Sequence, residues 1–182
     1  MTRHEEFVQR FLKEAPDDDD EIQIFLGWLQ ENGPDEWHRW AISWNWDHGT
    51  GLFEWIIAQP NCDRGTALSI YCGAQPDYHS RYASVEEALA ESPSGPEVVA
   101  LMTRICEMWR EGAYSTYAYR PSEGAIEYLT QGKDAMLALA ATEPWDEPDD
   151  LATAGIQGEP NSFDRTIDGV PVEMLRALGE NW

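Results

Sequence analysis

Across 182 residues the chain carries 34 Asp and Glu against 12 Lys and Arg, a formal net charge of −22, together with nine tryptophans. Acidity on this scale repels nucleic acid and membrane surfaces and speeds encounter with cationic proteins, so it argues against a phosphate-binding role and for a basic partner. A hydrophobic content of 42% with nine Trp, seven Tyr and five Phe excludes disorder throughout and implies a packed interior with aromatic surface to spare.

Residues 2 to 14 read as a first helix, with Thr2 and Glu5 in capping-box positions and Phe7, Val8, Phe11 and Leu12 on one face. The acids Asp17, Asp18, Asp19, Asp20 and Glu21 open a second helix, where they complement the positive end of its dipole, and Ile22, Phe25, Leu26 and Leu29 follow at helical spacing. From Glu14 to Glu36 there are nine acids and no base, a strong local negative field. Asn32-Gly33-Pro34 ends this helix and starts a third, in which Trp37, Trp40, Ala41 and Trp44 form a core stripe.

After Gly49 and Gly51 a short apolar segment leads to Pro60, and Asp63 caps a helix through Thr66, Ala67, Ile70 and Tyr71. Ser84 with Glu87, and Ser94 with Glu97, repeat the capping-box pattern. The second opens the clearest helix, with Val98, Leu101, Met102, Ile105 and Trp109 in period and Gly112 as the stop. Tyr114 to Tyr119 alternates like a strand without a partner strand and reads as extended or irregular.

Helical signals return over 122 to 130 and 133 to 141. Residues 143 to 168 hold eight acids, one base and three prolines, the pattern of a loop or arm. A final helix is predicted to start at Pro171, present Val172, Met174, Leu175 and Leu178, and dock on the core. The reading is therefore mainly α: a single compact multi-helix domain over 1–182 with a long acidic, proline-containing loop before the C-terminal helix. Its parts are N-terminal helices (1–36), a Trp-rich module (37–112), a helical extension (113–142), the acidic arm (143–168) and the last helix (169–182).

The N-terminal segment has acids among its first six residues and no apolar run, which is unlike a signal or transit peptide. No apolar stretch approaches the roughly 20 residues needed to cross a bilayer. A cytoplasmic protein is expected. Cys62, Cys72 and Cys106 are odd in number and lack CxxC spacing, so they read as buried thiols. Ten of the twelve bases are Arg, with Lys13 and Lys133 the exceptions, and arginine's planar fork suits pairing with acids inside the fold.

Trp44-Asn45-Trp46-Asp47-His48-Gly49, then Trp55-Ile56-Ile57, Pro60, Cys62-Asp63 and Thr66-Ala67-Leu68, resembles an uncharacterised bacterial family, the domain of unknown function 4274. The resemblance covers roughly residues 37 to 112 and implies a mostly helical fold with no established activity. Asn45 and Asp47 before Gly49 suit a turn, and Asp63 with Thr66 suits a helix start. The chemical alternative is a metal site or a nucleophile and base built from Asp47, His48, Cys62, Asp63 and His79, with Cys72 a second candidate thiol. Their spacing lacks a metal-ligand pattern, and nearby acids would raise a thiol's pKa. His4 and His38 read as ordinary surface or helix positions.

The functional reading is an immunity protein, not an enzyme and without cofactor or metal, that binds a basic protein, a cognate secreted toxin with nuclease chemistry. Its contact residues are Asp17, Asp18, Asp19, Asp20 and Glu21, the arm residues Trp145, Asp146, Glu147, Asp149 and Asp150, or both. No nucleic-acid or membrane partner is expected, and nothing in the sequence fixes an oligomeric state. A general acidic adaptor and a small Cys/His or metal-dependent enzyme are the alternatives.

Overall fold

Glycine, proline and asparagine between apolar runs set the helix boundaries. The computed structural model of the protein describes residues 18–79, 87, 90, 91, 95–132, 148, 150, 151, 156–162, 166, 167, 170 and 171, and these are mainly helical. Helix α1 (Asp18–Glu31) begins in the acidic run, and Pro34 supplies the first residue of α2 (Pro34–Ser43). There follow α3 (Gly51–Ile57), α4 (Arg64–Gly73), α5 (Pro76–His79) and α6 (Gly95–Arg110). The chain turns after α6 at Gly112, whose φ of +71° is a left-handed value that favours glycine. Helix α7 (Glu123–Glu127) starts at the Ser122 cap and widens into a π turn over Tyr128–Gly132. The readings for residues 2 to 14 and 133 to 141 lie outside the described residues.

Helix α4 is the centre of the core, packed against α2, α6 and α7, and every residue from Gly65 to Cys72 is buried. Such a helix must be apolar or small all round. The Thr66 and Ser69 hydroxyls are engaged: Thr66 meets His38, and Ser69 donates to the Gly65 carbonyl at 2.8 Å while accepting from the Ser122 amide at 2.9 Å.

Trp37, Trp40 and Ala41 are buried as expected, with Trp44 just beyond the helix, and Phe25 of α1 packs on the Trp40 and Trp44 rings. The spare aromatic surface expected from composition is not found among the described tryptophans, because Trp28 and Trp109 are buried as well and Trp46 and Trp55 pack partly buried against the core. Indole N–H groups need acceptors when they leave water. Trp37 donates to the Leu29 carbonyl at 2.8 Å, while Trp28 and Trp40 donate to one Glu36 oxygen at 3.1 and 3.3 Å. Glu36 also faces Arg39 at 3.6 Å, so this acid belongs to the fold more than to the outer field.

The tyrosine-rich run, expected to be extended or irregular, is an extended strap over residues 113–122 that crosses the start of α4. Its outer edge does find a short partner: Arg120 N–H donates to the Glu159 carbonyl and Glu159 N–H to the Ala118 carbonyl, each at 2.9 Å. The inner approach is so close that a Cβ on Gly65 would lie 1.9 Å from the Tyr119 carbonyl oxygen, and a Cβ on Gly158 would lie 2.4 Å from the carbonyl carbon of the same peptide. Glycine is required at both crossings because the strap's backbone occupies the space of a side chain.

Two departures concern the C-terminal region. Thr166–Ile167 (β1) and Val170–Pro171 (β2) form a two-residue antiparallel ladder with Thr166 opposite Pro171. Pro171, expected as the first residue of a helix, is therefore extended; proline lacks an N–H and is tolerated at the end of so short a ladder as readily as at a helix start. Residues 172–182 lie outside the described residues.

Candidate functional site

The Asp63 carboxylate organises the structure around the strap. It is 1% exposed. Oδ1 accepts from the Gly65 amide at 2.9 Å, the expected helix cap, and Oδ2 accepts from the Ala118 amide at 2.7 Å, 55 residues away. A third, longer bond comes from the Tyr119 amide at 3.4 Å. The Arg64 amide donates to the Thr116 carbonyl at 2.8 Å, so the start of α4 and the strap are joined through both edges of the backbone. Backbone N–H groups converging on a buried carboxylate are charge-assisted bonds, stronger than those between neutral groups.

His38, read from sequence as an ordinary helix position, is fully buried in this assembly. Its Nδ1 lies 2.9 Å from Thr66 Oγ1, and its ring stacks on Tyr119 with centroids 4.9 Å apart. The Arg120 carbonyl faces the ring without a well-aligned bond to Nε2. Burial pushes the imidazole pKa down from 6.5 to about 4, against the smaller upward pull of Asp63, the Arg120 carbonyl and Asp35. On the outer side, Tyr119 Oη donates to Asp35 Oδ1 at 2.5 Å. Burial and then the Asp35 carboxylate hold the Tyr119 phenol above its ordinary pKa.

The other motif residues serve local geometry. Asn45 Oδ1 accepts from the Asp47 amide at 3.0 Å in a 3-10 turn over Trp46–His48, and Gly49 closes it with a φ of +84°. Trp46 lies against Phe53, and a Cβ on Gly73 would come within 3.0 Å of its ring. Asp47 and His48 are exposed, whereas Cys62, Asp63 and His79 are buried. Among the described residues no group of three or more His, Cys, Asp or Glu is arranged to hold a metal ion. Cys62, Cys72 and Cys106 are buried thiols as expected, and burial, then Asp63, pushes the Cys62 thiol pKa up, away from a reactive thiolate.

Of the expected contact residues, Asp18, Asp19, Asp20 and Glu21 occupy the first turn of α1. Asp17, Trp145, Asp146, Glu147 and Asp149 lie outside the described residues. Asp150 has a role within the fold: one oxygen pairs with Arg64 Nη2 at 2.8 Å and the other accepts from Trp109 Nε1 at 3.0 Å. Arg64 also lies over the Trp109 ring at 4.1 Å, and Leu151 beside the pair is fully buried. The arm is thus anchored at Asp150 and Leu151 and again at 159–161, where Arg39 donates to Asn161 Oδ1 at 2.8 Å and Asn161 donates to the Asp35 carbonyl at 3.0 Å. Because Asp150 is 65% exposed, screening weakens its ion pair. Asp150→Ala should cost only about 1 kcal/mol in urea denaturation, more from the lost indole bond and ring contact than from charge.

Between the strap and the second anchor lies an open cleft of about 400 Å³, lined by Ile42, Arg120, Pro121, Ser122, Glu123, Pro160, Asn161 and Ser162. Sequence reasoning missed this cleft and the strap's contact with Asp63 because both depend on packing between distant segments. A polar residue on the apolar face of α2 was the available signal for His38.

No curated protein and no solved structure matches the chain. Residues 32–109 match the family model described as Domain of unknown function (DUF4274), so the family identified from the Asn-Trp-Asp and Cys-Asp segments is the one this part of the chain matches.

Proposed function

We propose that the protein is a cytoplasmic immunity protein that binds a basic secreted bacterial toxin and blocks its active site. The observation that supports this reading is the net charge of −22 combined with the pairing of several arginines with acids of the same chain. Arg39, Arg64 and Arg104 pair with Glu36, Asp150 and Glu107, while Glu31, Asp35, Asp47, Glu54 and Glu97 stand at the surface. Paired bases do little to offset the outward field of the remaining acids, and that field attracts a cationic protein.

A nuclease holds phosphates with Lys, Arg and His, and an acidic surface can occupy the same positions. The contact residues in this reading are Asp17 to Glu21 and, in the arm, Trp145, Asp146, Glu147 and Asp149. Asp150 contributes by fixing the arm through Arg64 and Trp109.

The test is co-expression with the product of the neighbouring open reading frame. The wild-type chain should restore growth, and a variant with Asp17–Glu21 replaced by Asn and Gln should bind with an association rate about tenfold slower at low salt. Equal killing with and without the wild-type chain would contradict the immunity reading. A salt-sensitive basic partner without toxicity would point instead to a general adaptor.

A further inference from the structure

We propose that the cleft between the strap and residues 160–162 is a binding site for a carboxylate attached to a small apolar body, with Arg120 as its anchor. The argument begins with charge. Among the described residues no carboxylate pairs with Arg120, although the chain is rich in acids and Arg39, Arg64 and Arg104 each have one. Arg120 instead lines a cleft whose size lies within the range of ligand sites. Its planar fork can take both oxygens of a carboxylate, and that charge-assisted geometry is the recognition arginine performs best.

The walls are held before any ligand arrives. On one side the Arg120 amide is bonded to Glu159 and the Ser122 amide to Ser69, with Pro121 buried between them. On the other, Asn161 is clamped by Arg39 and the Asp35 carbonyl. Preorganisation of this kind lowers the entropic cost of binding. Ile42, Pro121 and Pro160 supply apolar surface for the ligand's body, and the Ser122 and Ser162 side chains add hydroxyls. Glu123 at the same cleft, within a strongly negative protein, opposes a dianion such as phosphate more than a monocarboxylate. The carboxylate can belong to a free organic acid or to the C-terminus of an apolar peptide.

NMR titration of the full chain tests this with benzoate, benzamide, inorganic phosphate, and an apolar tetrapeptide with a free or amidated C-terminus. The expected result is saturable shifts confined to residues 42, 120–123 and 160–162 with benzoate, the free peptide or both, the responding probe identifying the source. The neutral analogues and phosphate should bind about tenfold more weakly or worse. Arg120→Gln should lose binding by a similar factor while its spectrum stays dispersed, and Glu123→Gln should bind benzoate more tightly. No saturable shift with either carboxylate, shifts elsewhere, equal binding of benzamide or phosphate, or undiminished affinity in folded Arg120→Gln overturns the proposal.

Discussion

Replacing Asp63 with alanine should cost about 4 kcal/mol of stability, measured as the shift in urea unfolding free energy at pH 7. The size follows from the three amides that converge on the carboxylate, of Gly65, Ala118 and Tyr119. A hydrogen bond to a charged group contributes roughly 1.5–3 kcal/mol, and an amide left buried without a partner adds its own penalty. The longest of the three bonds contributes least, which keeps the total below a simple sum. Asp63→Asn retains an acceptor oxygen but no charge and should cost about 2 kcal/mol. Amide hydrogen exchange separates the two roles of the residue: the Ala118 and Tyr119 amides should lose protection along with the start of α4. A loss under about 1 kcal/mol for Asp63→Ala would show that the strap is held by other contacts.

Acid should destabilise the protein through His38 by about 2.5 kcal/mol between pH 7 and pH 4.5. The folded-state pKa is about 4, lowered from 6.5 chiefly by burial. Between these values the unfolded chain binds a proton that the folded chain does not, so stability rises with pH across this window. The contribution is fully present above pH 6.5 and is lost as pH falls towards 4. Carboxylates titrate in the lower part of the same range, so the comparison is between wild type and His38→Gln. The variant should be less stable at pH 7, where it loses the fit against Thr66 and Tyr119, yet show a shallower decline on acidification. Parallel pH profiles for the two proteins would contradict the assignment.

Local signals carried far in this chain. The α2 tryptophan stripe, the Asn32-Gly33-Pro34 boundary, the Asp63 cap and the Gly112 stop all depend on interactions within a few residues, and each was legible. The strap was read as extended, but its partners were hidden because Ala118 bonds to Asp63 across 55 positions and Arg120 bonds to Glu159, which lies beyond α7 in the sequence. Gly65, an unremarked position between Asp63 and Thr66, is explained only by the Tyr119 carbonyl that passes over it. The arm shows the same division. Its acids and prolines marked it as irregular, while its anchoring by Arg64, Trp109 and Arg39 is a property of packing. Pro171 illustrates a residue whose fixed φ serves either a helix start or an extended segment.

The most direct test of a basic partner is affinity capture from the native cells on the tagged full chain at low ionic strength, followed by elution with a salt gradient. The proposed function leads to recovery of a basic protein that elutes as salt rises and rebinds the purified chain when salt is removed, with weaker rebinding to a variant neutralised at Asp17–Glu21. Recovery of only neutral or acidic proteins, or of a partner whose retention is indifferent to salt and to those acids, would contradict it.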